Sequence, residues 1–460
     1  MIIVRRRNVL GDIRIIINGI IILGFGSWIV RLFFSGVVAS LITVMPLLIS
    51  VFYIENRLGL KDILGERTSQ ILHIVCFFVA VVSILFSAQF VFHDYLIGNS
   101  LTVSSHPEHA LAYQEIEALA HMIQEGKDIR KQISSGLRLE QYFYLYTYTA
   151  LFFVVGGINV TNICIWNTFH LFLVGIISVL ILEQTEEEYS FIIKKKFYMM
   201  ISMPMFLAVF IYHRDIVAMA AIMLALYIYI STYANPIKNM IVFPIYAFLF
   251  YSARYQYIII AFVLVIYSTF RPQVAEDREK KQIIIKFFSV ILVIVSIIII
   301  LYQVSLSAVF IDDLHISNYT RGEYGTGGII KRFILSVIGY FPWTNIFGHR
   351  DWTYLLFLNP QGWINTAFLV IIVRQLIEKR CKITNIFVML YFIFYIFGFG
   401  GAVHVAYLAF AAPFAIFAMD KYSINKANCV IWVVSLFFIL SGLIYDLLGL
   451  AGSGVINLVQ

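Results

Sequence analysis

Long apolar runs separated by short polar stretches set the pattern of this chain. They fall near residues 15–30, 33–54, 71–92, 161–182, 197–212, 216–232, 239–253, 257–270, 285–307, 362–373, 384–398, 405–419 and 429–449. Most are at or close to the roughly 17–25 residues that an α-helix needs to cross a bilayer, so the pattern predicts an all-α, polytopic integral membrane protein of about 13 transmembrane helices. Two further apolar stretches, Gln141–Gly157 and Gly328–Leu358, are interrupted or bordered by aromatic and charged residues.

Charge sets the expected orientation. Arg5, Arg6, Arg7 and Arg14 place the N-terminus in the cytoplasm, because basic residues in short loops stay inside. The loops at 55–70, Lys194–Lys196, Lys238, 271–286, 374–382 and 421–426 then fall on the same side, with about 22 of the 33 basic residues near the inner surface. This arrangement holds only if Gln141–Gly157 does not cross. Its Tyr142, Tyr144, Tyr146 and Tyr148 fit a helix lying in the outer interface. Gly328–Leu358 reads the same way. Two outer loops carrying interfacial helices result, over 93–159 and 309–361. The whole reads as one membrane domain, 1–460: an N-terminal helix pair (15–54), a core (71–308) and C-terminal helices (362–460).

The first outer loop contains one well-marked helix. Ser105, Pro107 and Glu108 form a capping box with proline in the first turn. Ala112, Ile116, Leu119 and Ile123 recur at helical spacing, and Gly126 is a stop. The expectation is an amphipathic helix on the membrane surface.

Composition excludes other classes. The chain is 61% hydrophobic and 13% charged, where soluble domains carry roughly 25% charged residues. No soluble domain is expected. The net charge of +7 is spread over short loops and is no nucleic-acid signal. Cys76, Cys164, Cys381 and Cys429 show neither metal nor redox spacing. The first apolar run reads as an uncleaved anchor.

The candidate chemistry lies at the outer ends of the predicted spans. Asp94 follows the 71–92 run. His213-Arg214-Asp215 forms a polar turn between two apolar runs, and Arg254 sits in a tight turn with Tyr255 and Gln256. His404 opens the 405–419 run, and Arg321, Arg350 and Asp351 belong to the second outer loop. Charged residues at a bilayer are costly and are usually held for a task. A carboxylate can take a proton from a hydroxyl, and an arginine can clamp a phosphate and stabilise it as it leaves. The implied reaction is group transfer from a lipid phosphate to a hydroxyl. Each residue also has a structural reading: Asp215 as a helix cap, Arg254 snorkelling to headgroups, the glutamates of the 108–117 helix as a solvated face, Lys194–Lys196 as topology determinants alone.

The order of these features resembles the GT-C superfamily of polyprenol-phosphate-sugar glycosyltransferases. His93-Asp94-Tyr95 is similar to the acidic element after an early helix, and a long outer loop with surface helices follows. His213-Arg214-Asp215 and Ala253-Arg254-Tyr255-Gln256 are similar to the later acidic-basic and basic-aromatic turns, and His404 to Tyr407 with Pro413 to a late basic-aromatic-proline segment. The resemblance covers residues 71–270 well and 330–420 loosely. It departs in the two extra spans before the acidic loop, in the single Asp94 where a pair is usual, and in His404 where an arginine is usual. Size and outer charges also resemble the Wzy-like O-antigen and capsule repeat-unit polymerases.

The resemblance implies an inverting glycosyltransferase or polymerase using undecaprenyl-linked sugars or oligosaccharides at the outer leaflet of a bacterial inner membrane. It would act in O-antigen or capsule assembly. Asp94 and Asp215 would be catalytic. Arg214, Arg254 and Arg350 would hold the donor phosphate. Glu108, Glu115, Tyr255, Gln256, Arg321 and His404 would contact substrate. The partners implied are a polyprenyl-phosphate-linked saccharide donor, a glycan or lipid-linked glycan acceptor and the lipid bilayer, with no nucleic acid. No cofactor is certain, and a divalent metal is the one candidate. The alternative is a flippase of lipid-linked oligosaccharide or another transporter. Against it, no paired broken helices appear, and the charges sit at span ends rather than in mid-span.

Overall fold

A computed structural model describes residues 7–97, 107–129, 137–158, 160–185, 190–203, 213–233, 235–254, 257–270, 359–382, 385–400 and 410–447. Among them every regular element is a helix: α1 (Val9–Phe33), α2 (Gly36–Arg57), α3 (Leu60–Leu64), α4 (Glu66–Ile97), α5 (Pro107–Gln124), α6 (Leu137–Gly156), α7 (Val160–Thr185), α8 (Ser190–Ile201), α9 (His213–Thr232), α10 (Pro236–Ala253), α11 (Ile258–Phe270), α12 (Asn359–Ile377), α13 (Ile386–Gly400), α14 (Ala412–Ala418) and α15 (Lys421–Leu447). The chain divides into two compact units, Met1–Lys194 with Val209–Ile298, and Lys195–Ala208 with Ile299–Gln460.

Six of the described helices are long and apolar enough to cross a membrane: Val9–Phe33, Gly36–Arg57, Glu66–Leu85, Thr161–Thr185, Asp215–Thr232 and Lys421–Ser441. Shorter apolar helices lie at Phe143–Gly156, Ile237–Ala253, Ile258–Ser268 and Ile386–Tyr395. This is the build of a multi-pass helical membrane protein. The predicted run 285–307 lies outside the described residues. The predicted run 197–212 begins inside α8, which already starts at Ser190.

Two helices of nearly equal hydropathy have opposite fates. The apolar window of α7 is wholly buried, while that of α1 is 22% buried. On α1, Ile17, Ile21, Phe25, Trp28 and Leu32 form an exposed stripe, while Ile16, Leu23, Ser27 and Val30 face inward. That stripe follows helical spacing and would be untenable against water over such a length. Against lipid it carries no penalty. α7 instead carries Asn162, Asn167, Thr168, His170, Ser178 and Gln184, all buried. Polar groups in an apolar interior need partners, and the packed centre of a bundle is where a helix finds them.

The first unit is built round α7, which packs on α2, α4 and α9; α9 pairs with α10 and α10 with α11. One end is tied by charge. Arg7 donates from Nη2 to the Leu58 carbonyl (2.7 Å), and its Nε lies 2.7 Å from Glu183. Its Nη1 lies 3.6 Å from Asp12, which accepts from the Tyr227 hydroxyl. Gln184 and Ser231 exchange hydrogen bonds at 2.7 and 2.9 Å. Glu55, fully buried near the end of α2, faces His73 of α4 at 3.0 Å. The start of α1 and the ends of α2, α7 and α9 therefore share one end of the unit.

In the second unit α12 packs on α14 and α15, and α13 packs on α14. Phe394 stacks on Phe414 at 4.7 Å, and Trp363 meets Phe438 edge-on at 5.6 Å. Lys196, expected to mark topology alone, is 1% exposed. Its ammonium donates to the Phe417 carbonyl at 3.1 Å. That carbonyl belongs to the last turn of α14, where the helix dipole favours a cation.

Candidate functional site

The end of the first unit opposite the Arg7 network holds Asp94, Arg214, Asp215 and Arg254 of the predicted site. α9 begins at His213, so His213-Arg214-Asp215 is its first turn rather than an interhelical loop. The first turn of a helix leaves N–H groups without helical partners and favours a carboxylate, which suits aspartate there. Asp215 is 5% exposed. It lies about 24 Å of helical rise from Ser231, at the far end of α9 from the Gln184 contact.

α10 returns antiparallel to α9. Asn235 caps its start by accepting from the Lys238 N–H (3.2 Å), and Pro236 occupies the first position, where no N–H is needed. Arg254 ends it in extended backbone, its N–H donating to Phe250 (3.1 Å) and its carbonyl accepting from Tyr257 (2.8 Å). Arg254 thus ends α10 with its carbonyl bonded to the residue just before α11. Asp215 and Arg254 share one end of the α9–α10 hairpin, and Arg254 is half-buried. Tyr255 and Gln256 lie outside the described residues.

α6 passes across this same end. Tyr144 meets Phe248 (5.1 Å) and Tyr251 (5.9 Å) near the end of α10. Tyr148 and Phe152 meet Trp166 (4.9 and 4.3 Å) near the start of α7. Gly157 packs under Arg31 at the end of α1, with φ +101°; a Cβ there would sit inside the guanidinium. Hydrogen bonds lock the crossing. Asn162 donates to the carbonyls of Gly156 (3.0 Å) and Gly157 (2.6 Å) and accepts from Ser40 (2.9 Å). Trp166 donates to Thr149 (3.2 Å), and His170 bridges the Trp166 carbonyl (2.7 Å) and the Tyr148 hydroxyl (3.2 Å). None of Asn162, Trp166 and His170 was a candidate from sequence. The available signal was polar side chains inside a long apolar run.

Asp94 is in the last turn of α4 rather than just beyond a helix. The Cys164 thiol donates to the Ser83 carbonyl (3.4 Å), which aligns α4 with the start of α7. From Ser83 to Asp94 is about 16 Å of helical rise, so Asp94 stands at the same end as Asp215 but farther out along the axis.

α5 starts at Pro107 and puts Glu108 in its first turn. It stops as expected at Gly126 (φ +66°), with the Lys127 N–H donating to Met122 (2.9 Å) and that of Gly126 to Ile123 (3.2 Å). Its apolar stripe is taken up by α6: Ile116 and Leu119 are buried, and Tyr113 meets Phe153 edge-on at 6.2 Å. The surface-lying helix is thus a helix packed on α6. Burial pushes the Tyr113 phenol above its usual range, and the Glu117 charge adds to this. Glu115 and Glu117 are half-buried.

Arg321, Arg350 and His404 lie outside the described residues. Among the described residues no three His, Cys, Asp or Glu side chains gather as metal ligands. The chain matches no family model, no curated protein and no solved structure.

Proposed function

We propose that the chain is a membrane glycosyltransferase or repeat-unit polymerase acting on undecaprenyl-linked sugars at the outer leaflet of a bacterial inner membrane. About 13 spans cross the bilayer in this reading, with the N-terminus in the cytoplasm. The product enters a surface polysaccharide such as O-antigen or capsule. Asp215 and Asp94 are the catalytic carboxylates. One of them takes the proton of the acceptor hydroxyl as that oxygen bonds to the anomeric carbon of the donor. The bond from that carbon to the phosphate oxygen breaks with inversion, and its electron pair leaves on the lipid phosphate. Arg214, Arg254 and Arg350 hold and neutralise that phosphate. Glu108, Glu115, Tyr255, Gln256, Arg321 and His404 contact the sugars.

The observation that carries the reading is Asp215, 5% exposed in the first turn of α9, at the end of the α9–α10 hairpin that also bears Arg254. An ionisable side chain kept from water in a membrane bundle marks a functional site more often than a boundary. A helix crossing that end supplies an aromatic wall suited to a sugar or a lipid chain.

Mass spectrometry of lipid-linked glycans from cells lacking the protein tests the proposal. Accumulated single repeat units are expected for a polymerase, and a missing side-branch sugar for a single-sugar transferase. Complete units retained on the cytoplasmic leaflet would instead indicate a flippase. Unchanged lipid-linked glycans and polymer would overturn the reading.

A further inference from the structure

One surface of the second unit stands apart from the proposed transfer chemistry. α12 ends, and α15 begins, in a dense basic patch. Residues 374–382 and 420–426 hold Arg374, Lys379, Arg380, Lys382, Lys421 and Lys426 against Glu378 and Asp420 alone. The two acids are already engaged. Glu378 is held by Arg374 (2.6 Å) and by Arg380, and Asp420 accepts from Arg380 and from the Ser423 N–H (both 2.8 Å). Lys379 and Lys382 are exposed.

Lys379 takes a backbone conformation that lysine disfavours. α12 closes with the Arg380 N–H on the Gln375 carbonyl (2.9 Å) and the Lys379 N–H on Leu376 (3.1 Å), and the residue between lies at φ +54°. Glycine is the usual occupant there, since an L side chain in the left-handed region meets its own backbone. A strained lysine at a position that glycine would fill without strain points to use of its charge.

Two cations of the patch lie over an aromatic ring at the edge of apolar surface. Tyr422 is 57% exposed, with the Lys426 ammonium 4.2 Å and the Arg380 guanidinium 5.1 Å from its ring centre. α12 and α15 pack together, and their outer faces continue away from the patch as exposed Val370, Val373 and Ile377 and as exposed Trp432, Val433 and Leu436. Cations and tyrosine at the end of an apolar face sit at headgroup depth. A soluble acidic partner would match the charge and leave the apolar faces unused. A lipid matches both.

We propose that Lys379, Lys382 and Lys426, with Tyr422, form a binding site for the phosphate headgroup of an anionic phospholipid, whose chains lie along the outer faces of α12 and α15. The inference is independent of the sugar chemistry proposed above. Each lysine contributes roughly fivefold to lipid affinity near a surface, so the three together contribute about a hundredfold.

The test uses the full chain in neutral detergent, titrated with phosphatidylglycerol, with phosphatidylcholine of the same chains, or with inorganic phosphate, reading the thermal midpoint. Phosphatidylglycerol is expected to raise the midpoint more than phosphatidylcholine, and phosphate to leave it unchanged. Lys379→Gly is expected to raise the midpoint without lipid and to shrink the phosphatidylglycerol increment. The triple variant Lys379→Gly/Lys382→Gln/Lys426→Gln is expected to shift the midpoint titration about a hundredfold to higher phosphatidylglycerol. An increment unchanged in both variants, or equal for the two lipids, would overturn the site. An equal response to inorganic phosphate would overturn the lipid assignment.

Discussion

At one end of the first unit, Arg7 is shared among Asp12, Glu183 and the Leu58 carbonyl, and Tyr227 and Ser231 of α9 join the same network. At the other end of the same helix, Asp215 is buried in the first turn beside the hairpin end that carries Arg254. The first set ties helix ends with opposite charges at short range. The second is set apart by α6, an aromatic helix laid across it. The two ends of one helix thus hold charge in different surroundings, and the proposed reading assigns architecture to the first and chemistry to the second.

The contrast can be broken by substitution. Apart from Asp215 itself, the largest effect is expected at Arg254. Arg254→Ala should lower transfer by about 10²–10³, the usual cost of losing a positioned charge donor. Asp12→Asn should leave the rate per folded molecule unchanged. Turnover in a purified assay with lipid-linked donor checks both, and a similar loss in the two variants would erase the distinction between the ends.

At the Arg7 end the expected loss is of stability. Glu183→Gln removes a charged partner from Arg7 and should cost about 1.5–3 kcal/mol, read by chemical denaturation in detergent. No change there would mean that the network is ornament rather than architecture. A smaller effect is expected where α6 crosses α7. Trp166→Phe keeps the ring stack and loses one hydrogen bond to Thr149, for about 1 kcal/mol.

Acid should act on the second unit. The Arg374 hydrogen bond, then that of Arg380, holds the Glu378 carboxyl below its usual range. Burial opposes the Asp420 charge, yet the Ser423 N–H and Arg380 together hold that carboxyl low as well. Depressed carboxylates stabilise the fold above their unfolded-state range, and that contribution is lost as pH falls through the lower, folded-state values. Thermal midpoints should therefore decline on acidification through and below the ordinary carboxylate range. Asp420→Asn should flatten part of the decline, and a slope unchanged by this variant would assign it to other groups.

Helices were plain in the sequence wherever apolar runs were long. α1, α2, α4, α7 and α15 coincide with runs of that kind. Ends were harder to read. His213-Arg214-Asp215 looks like a loop because its residues are polar, yet a helix start accepts such residues in its first turn. Lys194–Lys196 look like a cytoplasmic boundary, yet Lys196 finds a carbonyl inside the second unit. For α5, periodicity announced a buried face without saying what buries it, and the cover proved to be α6. Of the candidate site, Asp215 and Arg254 stood out as charges beside long apolar runs. Their common end follows from the α9–α10 pairing, which no local pattern encodes. Asn162 and His170 were missed because a polar residue in an apolar run carries no label for its partner.

The central claim is that Asp215 serves chemistry and not helix packing. Asp215→Asn keeps the size and the hydrogen-bonding capacity of the side chain and removes the base. In a purified assay with undecaprenyl-linked donor and glycan acceptor, the variant should fold with an unchanged circular dichroism spectrum and elution profile and lose about 10²–10⁴ of its transfer rate. Full transfer by a folded Asp215→Asn protein would contradict the account.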